Sequence, residues 1–136
     1  MNVKQGLNSS VQVKVAAFAG EPAYQFGPVG ELVNRALAAL ALPEHFVNPG
    51  DRVVLKPNWV KEHDERRPGP GQWEHVVTHP AVIEAVARWV APRLQGRGEV
   101  IICDAPQTDS SFAALREYCG LDALIQRCQA EFPGVR

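Results

Sequence analysis

The sequence predicts an α/β fold, a three-layer α/β/α arrangement around a small, mostly parallel sheet. Three observations carry this. Short apolar runs, Val53-Val54-Leu55 and Val100-Ile101-Ile102-Cys103, alternate along the chain with amphipathic stretches of helical period. Both runs are continuously apolar, as in strands covered on two faces. Each connection between strands contains a helix, which fits parallel pairing through right-handed crossovers. Strand order is not encoded in such patterns.

The elements follow in order. Residues 1–10, MNVKQGLNSS, form a polar lead. Val11, Val13 and Val15 alternate with polar residues in VQVKVAAF, so Val11 to Phe18 is expected to be a strand. Gly20, Pro22, Gly27 and Pro28 mark a loop. In ELVNRALAALAL, Leu32, Val33, Ala36, Leu37 and Leu40 fall on one helical stripe. Pro49-Gly50-Asp51 signals a turn, and Val53 to Leu55 is the second strand, with Lys56 at its rim.

From Asn58 to about Val77 the chain is polar and holds Pro68, Gly69, Pro70 and Gly71, so it reads as a long loop of the kind that often carries function. A helix begins near His79-Pro80, with Val82, Ile83, Val86, Val90 and Leu94 as its buried stripe and Pro92 shortening its last turn. EVIICD is the third strand, ending at Asp104. Thr108 or Asp109 is expected to cap a short helix bearing Phe112, Leu115 and Tyr118. The last helix places Leu121, Leu124, Ile125, Cys128 and Phe132 on one face. We therefore expect the polar lead and one α/β domain over residues 11–136. The Pro133-Gly134 pair after the last helix and the small sheet suggest the N-terminal part of a larger, truncated domain.

Bulk properties narrow the function classes. The 136 residues suit one domain with one core. A hydrophobic fraction of 46% and a charged fraction of 21% are ordinary for a globular protein. The net charge of -1 argues against a general nucleic-acid binder. No apolar run approaches the roughly 20 residues of a membrane helix, and the polar start lacks the apolar core of a secretion signal, so a cytoplasmic setting is expected. Cys103, Cys119 and Cys128 match no metal or disulfide spacing and are expected to be free, mostly buried thiols.

The most informative stretch is VVLKPNWV, residues 53–60, where an apolar strand delivers Lys56 and Asn58 onto a proline stop. With THP at residues 78–80 and Asp104 closing EVIICD, three segments, GDRVVLKPNWV, VTHPAVIEAVARWV and GEVIICDAPQTDSSF, resemble the domain of unknown function 362 family over roughly residues 50 to 112. That family shows a strand ending in Lys-Pro-Asn, a Thr-His-Pro or similar helix start, and a third strand ending in aspartate. The resemblance implies an α/β domain longer than this chain and an activity that is poorly defined. Some members carry iron-sulfur clusters on added ferredoxin-like cysteine segments, and this chain has no such segment.

In a parallel sheet, Lys56, the loop from Asn58, the helix start at Thr78-His79 and Asp104 all fall at the carboxyl edge of the strands, where α/β proteins gather their sites. Lys56 is a point-charge partner for phosphate or carboxylate, or a snorkelling strand-end lysine. Asn58 can orient a ligand or pin its own loop. Thr78 and His79 open a helix whose free amides and dipole favour an anion and a neutral imidazole, or they serve only as caps. Asp104 can hold a metal, take a proton or bond nearby amides.

The expected catalytic pair is thus His79 and Asp104, and the expected substrate-binding set is Lys56, Asn58 and Thr78. The cofactor is open: a divalent metal can assist, but no spacing matches a zinc signature, and His63, Asp64 and His75 read as loop residues. Trp59 and Trp73 are expected to cover the crevice as a lid, and Trp89 to pack against a neighbouring element. GPVG is neither a dinucleotide nor a Walker loop.

Two readings follow. One is a domain that binds an anionic small molecule, phosphorylated or carboxylated, at the strand ends. The other is a non-catalytic fragment or accessory module that completes its sheet with a partner chain, by self-association or against a missing C-terminal half.

Overall fold

The computed structural model describes residues 13–20, 24–62, 66, 73 and 76–136. The polar lead, His63, Asp64 and His75 lie outside these residues. The fold is a small α/β domain. In chain order it contains α1 (Phe26–Leu40), β1 (Arg52–Leu55), α2 (Pro80–Val90), a 3₁₀ turn (Ala91–Leu94), β2 (Glu99–Ile102), α3 (Phe112–Tyr118) and α4 (Leu121–Glu131).

β1 and β2 pair in parallel, with Arg52 opposite Glu99 and Leu55 opposite Ile102. Gly98 permits the approach of their connections. A β-carbon there would lie 2.7 Å from the Asp51 carbonyl oxygen and 2.8 Å from Leu94 Cδ2. On the far side of β2, Arg136 donates its N–H to the Gly98 carbonyl at 3.1 Å and accepts from Val100 N at 2.7 Å, the pattern of a parallel neighbour.

The helical stripes become the core. Ile83 of α2 joins Leu115, Leu121, Leu124, Val77 and Trp59 in one cluster. Val90 and Leu94 join Val47 in a second, against which Val53, Val86, Trp89 and Val100 pack. Pro92 falls in the 3₁₀ turn, as a residue without an amide donor requires. Glu84 is buried in α2, where Arg88 and Arg127 hold its two oxygens at 3.0 and 2.6 Å. Burial alone would raise its pKa, but the hydrogen bonds from Arg127 and Arg88 reverse that and keep it below the usual carboxylate range. The pair from Arg127 ties α4 to α2.

Three expectations are corrected. Residues 13–18 form no strand, and Val13 and Val15 stand 79% and 85% exposed. Alternation alone makes no strand, because backbone groups need a neighbouring ladder, and this segment lies beside α1 instead. Lys14 Nζ reaches the Ala41 carbonyl at 3.4 Å, and the Arg35 guanidinium sits 4.6 Å from the Phe18 ring centre. The sheet among the described residues therefore has two strands. Second, α1 begins at Phe26, ahead of Gly27 and Pro28. A proline in the first turn loses no hydrogen bond, so it does not mark the loop assigned to it. Third, the cap of α3 is Ser111, whose hydroxyl accepts from Ala114 N at 3.2 Å, rather than Thr108 or Asp109.

Candidate functional site

The site is built where β1 and β2 end. β1 delivers Lys56 and β2 delivers Asp104, because the parallel register sets both strand ends at one edge of the sheet. Lys56 Nζ lies 2.6 Å from Asp104 Oδ1, with the lysine side chain 69% exposed and the aspartate 6% exposed. The other oxygen, Oδ2, accepts the Trp59 backbone N–H at 2.6 Å. The hydrogen bond from Lys56, with those from the Trp59 and Ala105 amides, holds the Asp104 carboxyl below its ordinary pKa despite burial.

The chain after Lys56 is then pinned to the start of α2. Asn58 N donates to the Thr78 hydroxyl at 2.9 Å, and Thr78 N returns a bond to the Asn58 carbonyl at 2.8 Å. Trp59 and Val77 form an antiparallel bridge, and Val60 N bonds the Val76 carbonyl at 3.0 Å. Proline at position 57 directs this turn away from the strand, and Trp59 anchors it in the core.

His79 is the N-cap of α2. Its Nδ1 accepts the Ala81 N–H at 3.1 Å, and its carbonyl accepts from Val82 N and Ile83 N at 3.0 and 3.5 Å. Pro80 has no N–H to offer. Of the two readings the sequence left for this helix start, capping is the one seen, and His79 itself occupies the amides an anion would have used. A ring nitrogen that accepts cannot carry the proton, so Nε2 bears the hydrogen of the neutral ring. The imidazole stacks on Tyr24, with centroids 4.4 Å apart, and faces Trp73 at 6.0 Å; Trp73 in turn stacks on Tyr118 at 6.1 Å.

The structure therefore sets two bonded pairs, Lys56 with Asp104 and Asn58 with Thr78, at one edge, joined through the turn Lys56-Pro57-Asn58, with His79 following Thr78 in the chain. Trp59 is no lid: it is 1% exposed within the core, and its indole Nε1 has no hydrogen-bond partner among the described residues. Trp73 is half-buried against His79. Trp89 packs on the second core cluster and carries the Arg93 guanidinium 3.7 Å from its ring centre.

Sequence reading missed the clasp between the two loops. Buried Lys61 pairs with Asp109 at 2.6 Å. Glu62 Oε2 accepts the Ser110 hydroxyl at 2.5 Å and the Ser111 N–H at 3.1 Å, which adds to the cap of α3. Gln107 N reaches the Val60 carbonyl at 3.0 Å. Charges inside a polar loop give no periodic signal, so only the fold reveals which of them are partners. Tyr24 was missed for the same reason.

A groove of about 260 Å³ opens beside Lys56, Pro57 and Thr78 and is walled by Val54, Leu55, Val82, Ile83 and Val86. No group of three or more metal-ligating side chains occurs among the described residues. No described helix is long and apolar enough to cross a membrane. Cys119 is buried and Cys128 half-buried, but Cys103, beside Asp104, is exposed, because the strand ends before the core does.

These features define a small α/β domain with a hydrogen-bonded polar cluster at the carboxyl ends of two parallel strands. The family described as Domain of unknown function (DUF362) matches residues 53–136, most of the chain, and the chain belongs to that family. It is similar to the thylakoid-associated protein sll1697 of Synechocystis sp. (strain ATCC 27184 / PCC 6803 / Kazusa), at 31% identity over 99 residues, which cover 73% of this chain and 28% of that protein. The chain thus spans little more than a quarter of that relative's length. No solved structure matches it.

Proposed function

We propose that the strand edge binds a small anionic molecule, phosphorylated or carboxylated, with Lys56 as its charge partner. The observation that carries this reading is the asymmetry of the Lys56–Asp104 pair: a 6% exposed carboxylate holds a 69% exposed ammonium. A lysine ammonium has three donors, and Asp104 uses one. The others point toward solvent beside the groove. The Thr78 hydroxyl, which accepts from Asn58 N, keeps its own proton to donate, and the exposed Asn58 side chain adds an amide. The edge is rich in donors that carboxylate or phosphate oxygens can accept.

Of the residues expected to be catalytic, Asp104 enters this reading as the carboxylate that aims Lys56. His79 enters it as a neutral ring fixed by Ala81 and Tyr24. Proton transfer by either is a further step of the proposal. A cytoplasmic setting is part of this proposal; the thylakoid association belongs to the relative's name.

Thermal-shift titration tests the reading with inorganic phosphate and with succinate, each against chloride at matched ionic strength. A site-specific anion at a hundred times its dissociation constant stabilises by about 2.7 kcal/mol. The shift should survive Lys56→Arg and vanish in Lys56→Gln. An equal response to chloride, or an unchanged response in Lys56→Gln, rejects it. The accessory-module reading draws on the outer edge of β1, which no strand covers among the described residues.

A further inference from the structure

Among the described residues, no strand pairs with the outer edge of β1. In its ladder with β2, the Asp51 carbonyl accepts from Glu99 N at 3.0 Å and the Leu55 carbonyl from Cys103 N at 3.1 Å. Parallel pairing uses alternate residues, so the backbone N–H and C=O groups of Arg52 and Val54 point away from β2. Beside them runs the groove walled by Val54, Val82 and Val86, which ends at Lys56 and Thr78. Unpaired strand backbone next to an apolar wall is a template for another strand.

Val13–Phe18 has the pattern to fill it. The segment runs antiparallel to α1 along its length, the direction a strand preceding that helix would take. Lys14 meets Ala41 beyond the end of the helix, Phe18 meets Arg35, and Gly20 packs on Leu32 near its start. Its valines at 13 and 15 are the most exposed large apolar residues described.

Handedness selects the edge. α2, which links β1 to β2, packs on α1. A right-handed connection through α1 places that helix on the same face as α2 only if the preceding strand lies outside β1. A strand outside β2 would put α1 on the opposite face, and Arg136 already occupies that edge.

We infer that Val13–Phe18, which lies beside α1 and unpaired in this structure, is a strap that moves from there to dock into this groove as a third parallel strand on the outer edge of β1. The docked strap closes the groove up to Lys56 and Thr78. The inference does not depend on which ligand, if any, the strand edge binds.

Amide hydrogen exchange by NMR on the full chain tests it. The Val54 amide and the amides of residues 13–18 should exchange more than tenfold faster in Val13→Asp/Val15→Asp than in the unaltered protein, while the α2 amides of Ile83 and Ala87 stay equally protected. A Val54 amide that exchanges freely in the unaltered protein, or equally in both, overturns the inference. So does protection that disappears on dilution together with a dimer in sedimentation, which assigns the groove to a second copy. If the double variant loses α2 protection, cysteine pairs decide. With the native cysteines replaced, Val54→Cys combined in turn with Lys14→Cys, Val15→Cys or Ala16→Cys should form an intramolecular disulfide in at least one pairing, since neighbouring strands fall within disulfide reach. Failure of all three overturns it.

Discussion

Lys56 and Asp104 end different strands, yet their side chains meet at 2.6 Å and the carboxylate also accepts the Trp59 amide at 2.6 Å. One aspartate thus joins β1, β2 and the turn that follows β1.

Acid should loosen this junction. The folded pKa of Asp104 lies below its ordinary 3.8, so below that pH the unfolded chain takes up the proton more readily than the folded one. The contribution is complete above the ordinary value and is lost as pH falls through the lower, folded value. Urea titrations across that acid range should show stability falling with pH, and Asp104→Asn should flatten part of the slope. An unchanged slope would count against the junction as described.

Glu84 should be a stability hub. It is 5% exposed and bonded to Arg88 and Arg127, while Arg127 is itself half-exposed and well screened. Glu84→Ala should cost about 1–3 kcal/mol, since two guanidinium groups lose a buried partner. Chemical denaturation of Glu84→Ala and Arg127→Ala would check this, with the smaller loss in Arg127→Ala.

Gly98→Ala should destabilise by about 1–3 kcal/mol, because the added carbon presses on the Asp51 backbone oxygen and on Leu94. The melting temperature of the variant reads this directly. Gly120→Ala, which meets no atom within 4 Å but holds a positive φ of 55°, should cost less, through backbone strain alone.

Thiol labelling should separate the three cysteines. Cys103 is exposed, whereas burial pushes the Cys119 thiol up to about 11 and raises Cys128 as well. Nitrobenzoate titration of the native protein should give one fast thiol, absent in Cys103→Ser, with the rest released on denaturation. Fast release of all three would contradict the packing of α3 and α4.

Much of this arrangement was legible in the sequence. The apolar runs at Val53–Leu55 and Val100–Ile102, the helix start at His79-Pro80, the stripe of α4 and the meeting of Lys56, Asn58, Thr78 and Asp104 at one edge follow from period and from parallel geometry. The failures share a cause. Whether Val13–Phe18 pairs, whether Ser111 or Thr108 caps α3, and whether Trp59 covers a crevice or fills a core depend on partners distant in sequence. Lys61, Glu62 and Tyr24 gave no local sign of Asp109, Ser110 or His79. The capping of α2 by His79 was one of the two readings its sequence allowed.

Four-residue strands hold each other weakly, whereas the bonds from Asp104 to Lys56 and Trp59, from Lys61 to Asp109 and from Glu62 to Ser110 stitch the two following loops together at four points. These bonds couple residues 56–62 to residues 104–110. The two strand ends are thereby tied into one latch, so that a displacement of residues 56–62 strains the contacts that hold residues 104–110.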